Sequence, residues 1–241
     1  MRAETRHQLK QDAFSRVTIE TAEKTAHWTV EHRSTVIISA VIAVVVIGAV
    51  VGGWFYLSGQ DEKAGLELTQ AIRTMDTPLR PAGSPAQPDY PSFESSKERT
   101  EAAKKQLQAI VDKYPHTRTA DMAHYFLGVQ AENLSDNATA EREFKGVVSS
   151  GSRDVAATAK LALAALYGQT NRTKEGVTLY QELINKPTAT VSKVTAQLQL
   201  AELYQNTNQP LDAKRTYETV KKENPTGEAG QLATQKLAEL K

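Results

Sequence analysis

The stretch from Ser34 to Leu57, STVIISAVIAVVVIGAVVGGWFYL, is 24 residues long and carries no charge. As a helix it would cover roughly 36 Å at about 1.5 Å per residue, against a hydrocarbon core of about 30 Å. Lipid offers no hydrogen-bond partner to a backbone, so a lone segment crosses it only as an α-helix. The run predicts three parts: a head at 1–33, a transmembrane helix at 34–57, and a body at 58–241. The head is longer than the charged region of a signal peptide, and the apolar run exceeds the 7–15 residues of its core. An uncleaved anchor is the expectation.

The head holds Arg2, Arg6, Lys10, Arg16, Lys24 and Arg33, whereas only Lys63 and Arg73 follow the helix up to Leu79. The positive-inside rule then puts the head in the cytoplasm and the body outside it. In a bacterium with two membranes that means an inner-membrane protein with a periplasmic body. Trp28, Trp54 and Tyr56 stand where interfacial aromatics are found. Gly48 and Gly52 form a G-x-x-x-G, a spacing that lets a second helix approach closely and allows self-association. No ionisable residue lies in the span, which argues against ion or proton transport.

In the head, Leu9, Ala13 and Val17 share one helical face, as do Ala22, Ala26 and Val30. That fits a solvated helix or a docking site for a cytosolic regulator. After the span, residues 62–75 read as a helix with Ala64, Leu68, Ala71 and Ile72 as its stripe. Asp76 to Phe93 then contains Pro78, Pro81, Pro85, Pro88 and Pro91, so it is a surface loop, expected to be mobile and to act as a spacer.

From Ser95 onward the chain repeats. Ala140, Gly176 and Ala213 align, and four residues later come Phe144, Tyr180 and Tyr217. Upstream stand Leu127-Gly128, Leu163-Ala164 and Leu200-Ala201, followed by Ala131, Tyr167 and Tyr204. Val147, Leu183 and Val220 follow the aromatics, and Pro115 and Pro225 close units. A period of 36 or 37 residues means stacked supersecondary units. This order resembles the tetratricopeptide repeat, two antiparallel helices per unit of nominally 34 residues. The resemblance implies an all-α fold: one transmembrane helix, then a solenoid of about 3.5–4 helix–turn–helix repeats. Their expected bounds are 94–117, 121–154, 157–190 and 194–227, with a capping helix at 227–241 turning Leu232, Leu237 and Leu240 inward. Gly128, Ala164 and Ala201 would be small where the first helix of a unit touches the second, with Ala140, Gly176 and Ala213 as their counterparts. The aromatics would fill the gap to the next unit. The chain departs from the family at His124, Lys160 and Gln197, where an aromatic is usual.

The body is charge-balanced, with 23 basic and 23 acidic residues, which removes the electrostatic reason to expect nucleic acid. The absence of cysteine excludes disulfides, thiolate metal sites and thiol nucleophiles. Three of the five histidines, His7, His27 and His32, lie in the head, and no metalloprotease, phosphate-loop or nucleophile-elbow motif occurs. No catalytic, cofactor or metal site is therefore expected, and the chain reads as a non-enzyme. Asn-x-Ser/Thr triplets at Asn133, Asn137 and Asn171 are coincidental in a bacterial protein.

By analogy with the family, the first helix of each unit lines a concave surface. Its side chains here are Met122, Tyr125, Val129, Glu132 and Asn133; then Leu161, Ala165 and Gln169; then Leu198, Glu202, Gln205 and Asn206. Leu161 and Leu198 also suit the core. Without Lys or Arg at these positions the surface does not resemble the family's carboxylate-capturing grooves, and it suits extended or helical peptides. The architecture of head, anchor and outer solenoid resembles the YfgM family, which implies an ancillary adaptor at the SecYEG translocon that works with the membrane-anchored periplasmic chaperone PpiD. Its partners would be translocon subunits, that chaperone or emerging polypeptide. Two other readings stay open: a regulator whose head sequesters a signalling protein, and a scaffold for envelope or cytochrome assembly.

Overall fold

A computed structural model of the chain describes residues 33–240 except 82, 85–91, 150 and 151. The expected faces of the head and the centre of the Pro-rich segment lie outside the described residues. The described secondary structure is helical: α1 (Arg33–Asp76), α2 (Ser96–Lys113), α3 (Arg118–Asn133), α4 (Asn137–Val148), α5 (Arg153–Gln169), α6 (Thr173–Asn185), α7 (Lys193–Asn206), α8 (Pro210–Glu223) and α9 (Glu228–Glu239). The first helix of each of the three full repeats starts upstream of the expected 121, 157 and 194. The chain falls into two compact units, Met1–Tyr56 and Leu57–Lys241.

In the first unit, the apolar part of α1 presents its side chains outward. Large residues such as Ile37, Val44, Val50 and Trp54 are exposed, and a Cβ at Gly48 or Gly52 would meet open space. α1 is the one helix among the described residues long and apolar enough to cross a membrane. The helix expected at 62–75 is the end of α1, which runs on unbroken to Asp76. No proline interrupts Leu57–Met75, and Gly59 and Gly65 cost only about 1 kcal/mol each. The helix stops where Thr77 precedes Pro78, since the residue before proline is pushed out of the α region.

In the second unit, the end of α1 supplies the first helix of a split repeat. Ala64, Leu68 and Ala71 are buried against Leu107, Ile110 and Tyr114 of α2 and its turn, and against Ala123 and Leu127 of α3. Polar contacts fix the register. Asp61 Oδ1 accepts the Thr119 N–H at 2.8 Å, at the start of α3. Glu67 accepts Lys113 Nζ at 2.6 Å and the Tyr114 hydroxyl at 2.7 Å. The two ends of the Pro-rich segment are tied together as well. The Arg80 N–H donates to the Phe93 carbonyl at 2.9 Å. The Arg80 guanidinium donates to Ser92 Oγ at 2.9 Å and pairs with Glu94.

Three full repeats follow, α3–α4, α5–α6 and α7–α8, each helix packed on the next. Each turn within a repeat has one left-handed residue: Ser135, Asn171 and Asn208, with φ of 61°, 60° and 57°. The following N–H reaches back five residues, from Asp136 to Ala131, Arg172 to Tyr167 and Gln209 to Tyr204, at 2.9, 2.7 and 2.8 Å. This is a Schellman C-cap used three times.

The small residues sit at close approaches. A Cβ on Gly128 would lie 2.5 Å from the Phe144 ring, and one on Gly176 would lie 2.8 Å from the Ala164 carbonyl oxygen. Ala140, Ala164, Ala201 and Ala213 are wholly buried. The aromatics bridge to the next repeat: Phe144 packs with Val155, Ala159 and Leu163, Tyr180 with Val191, Ala196 and Leu200, and Tyr217 with Ala233 of α9. The positions lacking the usual aromatic bridge the two helices of a repeat. His124 Nδ1 is 2.8 Å from Glu143, Lys160 Nζ donates to Glu182 at 2.6 Å, and Gln197 Nε2 donates to Glu223 at 3.0 Å.

The cap differs from expectation. Leu232 is 41% exposed and Ala233 takes the inward position, while Leu237 and Leu240 pack at the edge of the last cluster. The phase is set by Gly230, where a Cβ would fall 1.8 Å from the Asn224 carbonyl oxygen. That contact brings the helix face of Gly230 and Ala233 against the preceding turn. Pro225, which closes the last unit, is exposed in that turn.

A polar lock joins the first and second full repeats. The Arg172 guanidinium lies 4.0 Å over the Tyr167 ring and donates to Glu141 at 2.7 Å. Hydrogen bonds from Lys145, with those from Arg172 and Tyr167, hold the Glu141 carboxyl down to about 2.

Three substitutions in the full chain, studied in detergent micelles, test this packing. Phe144→Ala should lower the unfolding free energy by about 3–5 kcal/mol, and Gly128→Val by about 1–3 kcal/mol through overpacking. Both would be read as lower urea midpoints in far-UV circular dichroism. The Glu141 pairing favours the ionised carboxylate, so its contribution is full above the ordinary 4.5 and fades as the pH falls towards about 2. Glu141→Gln should melt below the wild type at neutral pH, and the two curves should converge in acid.

Candidate functional site

Helix contacts identify the inner side of the repeat stack. α3 touches α5, α5 touches α7, and α7 touches α9, whereas α4, α6 and α8 do not touch one another. The first helices are therefore crowded together and form the inner row.

The helices of that row hold the twelve residues expected to form a groove, and none of them is fully buried. Asn133, Gln169 and Asn206 are exposed, one at the end of each first helix. Met122, Tyr125 and Val129 are half-buried against the cluster of Phe144, Leu163 and Tyr167. The Tyr125 ring lies 5.9 Å from Phe144 and 5.3 Å from Phe126. Leu161 rests on the cluster of Tyr180 and Leu200, and Leu198 on that of Tyr217 and Val220. These apolar side chains are thus half core and half surface.

Ala165, Gln169, Glu202 and Asn206 converge on a hollow of about 370 Å³ between the second and third full repeats. Its remaining walls are Gly168, Asn171, Tyr180, Gln199 and Leu203. The sequence comparison of repeats did not single out Gly168, Gln199 or Leu203. Gly168 is small because a Cβ there would lie 2.4 Å from Leu203 Cδ1, a contact between residues of different repeats that no spacing rule reveals. The other eight expected residues lie outside this hollow. Gln205 accepts the Tyr217 hydroxyl at 3.3 Å and so faces its own second helix. A larger hollow of about 700 Å³ opens at the starts of α6 and α8, but its walls include Arg172 and Glu175, which belong to the inter-repeat lock.

The inner row is electrostatically one-sided. Burial raises the carboxyl of Glu132, and burial together with that carboxylate raises the Tyr125 phenol. Burial, then the Glu202 charge, pushes Tyr180 up to about 12. The same causes, with Glu239 added, push Tyr217 up to about 12. Tyr204 is raised by burial and by Asp212. These phenols stay neutral hydrogen-bond groups at ordinary pH. No group of three or more metal-ligating side chains occurs among the described residues. The chemistry available to this surface is apolar contact, amide hydrogen bonding and negative charge.

Because burial penalises the ionised Glu132, its charge costs stability above its raised folded pKa, and that cost vanishes below its unfolded value. Glu132→Gln should therefore melt slightly higher than the wild type at neutral pH and equally in acid, as thermal scans at both pH values would show.

The comparisons with known proteins agree with the repeat geometry. The model of a tetratricopeptide repeat-like domain matches residues 26–183, and that of a tetratricopeptide repeat matches residues 195–227. No curated protein matches the chain. The first match covers well over half of the sequence, and the chain belongs to the tetratricopeptide repeat-like family.

Proposed function

We propose that this protein is a non-catalytic, single-pass membrane adaptor whose repeats capture protein segments outside the cytoplasm, serving the Sec translocon as an ancillary, chaperone-recruiting subunit. Tetratricopeptide repeats are protein-interaction modules, and solenoids bind along their inner surface. The observation that carries the reading is the division of labour in each repeat. The small and aromatic signature residues are used up in packing, while the inner-row residues between them stay accessible. Nothing in the packing requires an exposed amide at the end of every first helix.

The apolar, outward-facing stretch of α1 supports the anchor, and the excess of Lys and Arg in the head supports a cytoplasmic N-terminus. The family match begins ahead of the apolar run, which supports treating anchor and repeats as one working unit. The resemblance in architecture to the YfgM family supports the translocon as the place of action.

Photocrosslinkers placed at Gln169 and Asn206 in intact native membranes test this reading. Adducts with translocon subunits, a periplasmic isomerase or emerging polypeptide are the expected outcome. Adducts confined to other machinery would move the adaptor elsewhere, and their absence would remove the binding surface. Gln169→Trp with Asn206→Trp fills the 370 Å³ hollow. The pair should cut the yield of adducts from a probe at Asn133 by about tenfold while leaving the melting curve unchanged.

A further inference from the structure

The charges of the three full repeats are sorted. Beyond Arg118, Arg153 and Lys193 in their first turns, the first helices α3, α5 and α7 carry only His124 and Lys160 as basic side chains. Both are turned to carboxylates of the second helices, Glu143 at 2.8 Å and Glu182 at 2.6 Å. On the second helices, Glu141, Glu175 and Glu223 are likewise matched, by Lys145, by Arg172 in the turn before α6 and by Lys193 at the start of α7.

The carboxylates on the inner row are not matched. Glu132 is half-buried, and its carboxylate makes no hydrogen bond or ion pair among the described residues. Glu202 borders the 370 Å³ hollow and has only the Gln199 amide, at 3.0 Å. A half-buried carboxylate without a counter-ion loses solvation and gains nothing in return, so the free protein is better off without it. A positive charge brought by an occupant would supply what the fold withholds.

We infer that the inner face binds an extended polypeptide segment bearing Lys or Arg among apolar residues, with Glu132 and Glu202 as its two anionic contacts. This rests on the adaptor reading above and narrows it to a class of client. The rest of the face suits such a segment. Tyr125, Val129 and Leu161 offer half-buried apolar surface. The amides of Asn133, Gln169 and Asn206 recur at equivalent positions, and each can donate to a peptide carbonyl and accept from a peptide N–H.

Spacing adds a constraint. First helices of neighbouring repeats touch, and packed helices lie about 8–10 Å apart. Glu132 and Glu202, two repeats apart, are then separated by roughly 20 Å, or about six residues of extended chain at about 3.3 Å each. The chain's own Pro-rich segment is a poor occupant by charge, since residues 82–91 carry Asp89 and no cation. Anionic lipid and nucleic acid would be repelled.

The test uses the full chain in phosphatidylcholine nanodiscs, whose lipid is zwitterionic. Three fluorescent peptides share one apolar frame and carry Lys, Gln or Glu at two positions about six residues apart. Fluorescence anisotropy should order them Lys, Gln, Glu, with about fivefold in Kd per exposed ion pair. Raising the salt should compress the order. Glu132→Gln with Glu202→Gln, both near-isosteric, should level it without lowering the melting temperature.

Equal binding of all three peptides, or an order that survives in the double variant, overturns the cation preference and leaves peptide capture standing. If no peptide binds, both readings fall. If the Lys peptide binds only after residues 82–91 are replaced by a Gly-Ser linker, the face belongs to the chain's own segment and the inference is wrong. Concentration-dependent self-association that disappears in the double variant would assign the face to a second copy, with the same consequence.

Discussion

The body depends on how closely two helices can approach at a glycine or alanine. At Gly128 the Phe144 ring occupies the space where a Cβ would stand, and at Gly176 the backbone of α5 does so. Packing of this kind is unforgiving because protein interiors are filled to crystal-like density. Once the two helices of a unit are that close, the aromatic of the second helix has only one place to go, into the face of the next repeat. Phe144, Tyr180 and Tyr217 take that place in turn and are among the most completely buried large side chains. The repeat period is thus a packing period, and each unit is stabilised by its neighbours rather than by itself.

A second layer of organisation is polar. The family's usual first-helix aromatic is absent, and His124, Lys160 and Gln197 bridge instead to carboxylates on the second helices. Exposed ion pairs of this sort contribute little each. Their larger consequence concerns where charge is left over. His124, Lys160 and Lys193 of the first helices are drawn to carboxylates of the second helices, while Glu132 and Glu202 on the inner row have no cation paired with them. A substitution that looks like a departure from the family pattern is tied to the sign of the surface that the repeats offer.

Much of the fold can be read along the chain because its determinants are local and periodic. Ala64, Leu68 and Ala71 are buried as their helical spacing implies, and the signature residues from Leu127 to Tyr217 fall into successive clusters. Where the reading missed, the deciding contact was distant in sequence or depended on helix phase. Leu232 points outward because Gly230 brings its own face of α9 against Asn224, and hydrophobicity alone cannot rank Leu232 against Ala233. The membrane span and the helix at 62–75 join into one because the glycine between them is too weak a stop signal. The Schellman turns were partly legible at Asn171 and Asn208, since asparagine tolerates the left-handed region, but not at Ser135.

The sequence by itself determined the apolar run, the 36–37-residue period, the balance of charge in the body and the lack of cysteine, because each is a property of spacing or composition. Only the tertiary structure decided which inner residues share a hollow, that Gln205 is spent on Tyr217 while Gln169 and Asn206 stay free at its rim, and that Gly168 makes room for Leu203. It also decided that Lys160 and His124 turn outward while Glu132 and Glu202 remain. The physical reason is that helical periodicity assigns a residue to a face, whereas its partner comes from a helix tens of residues away and is set by packing.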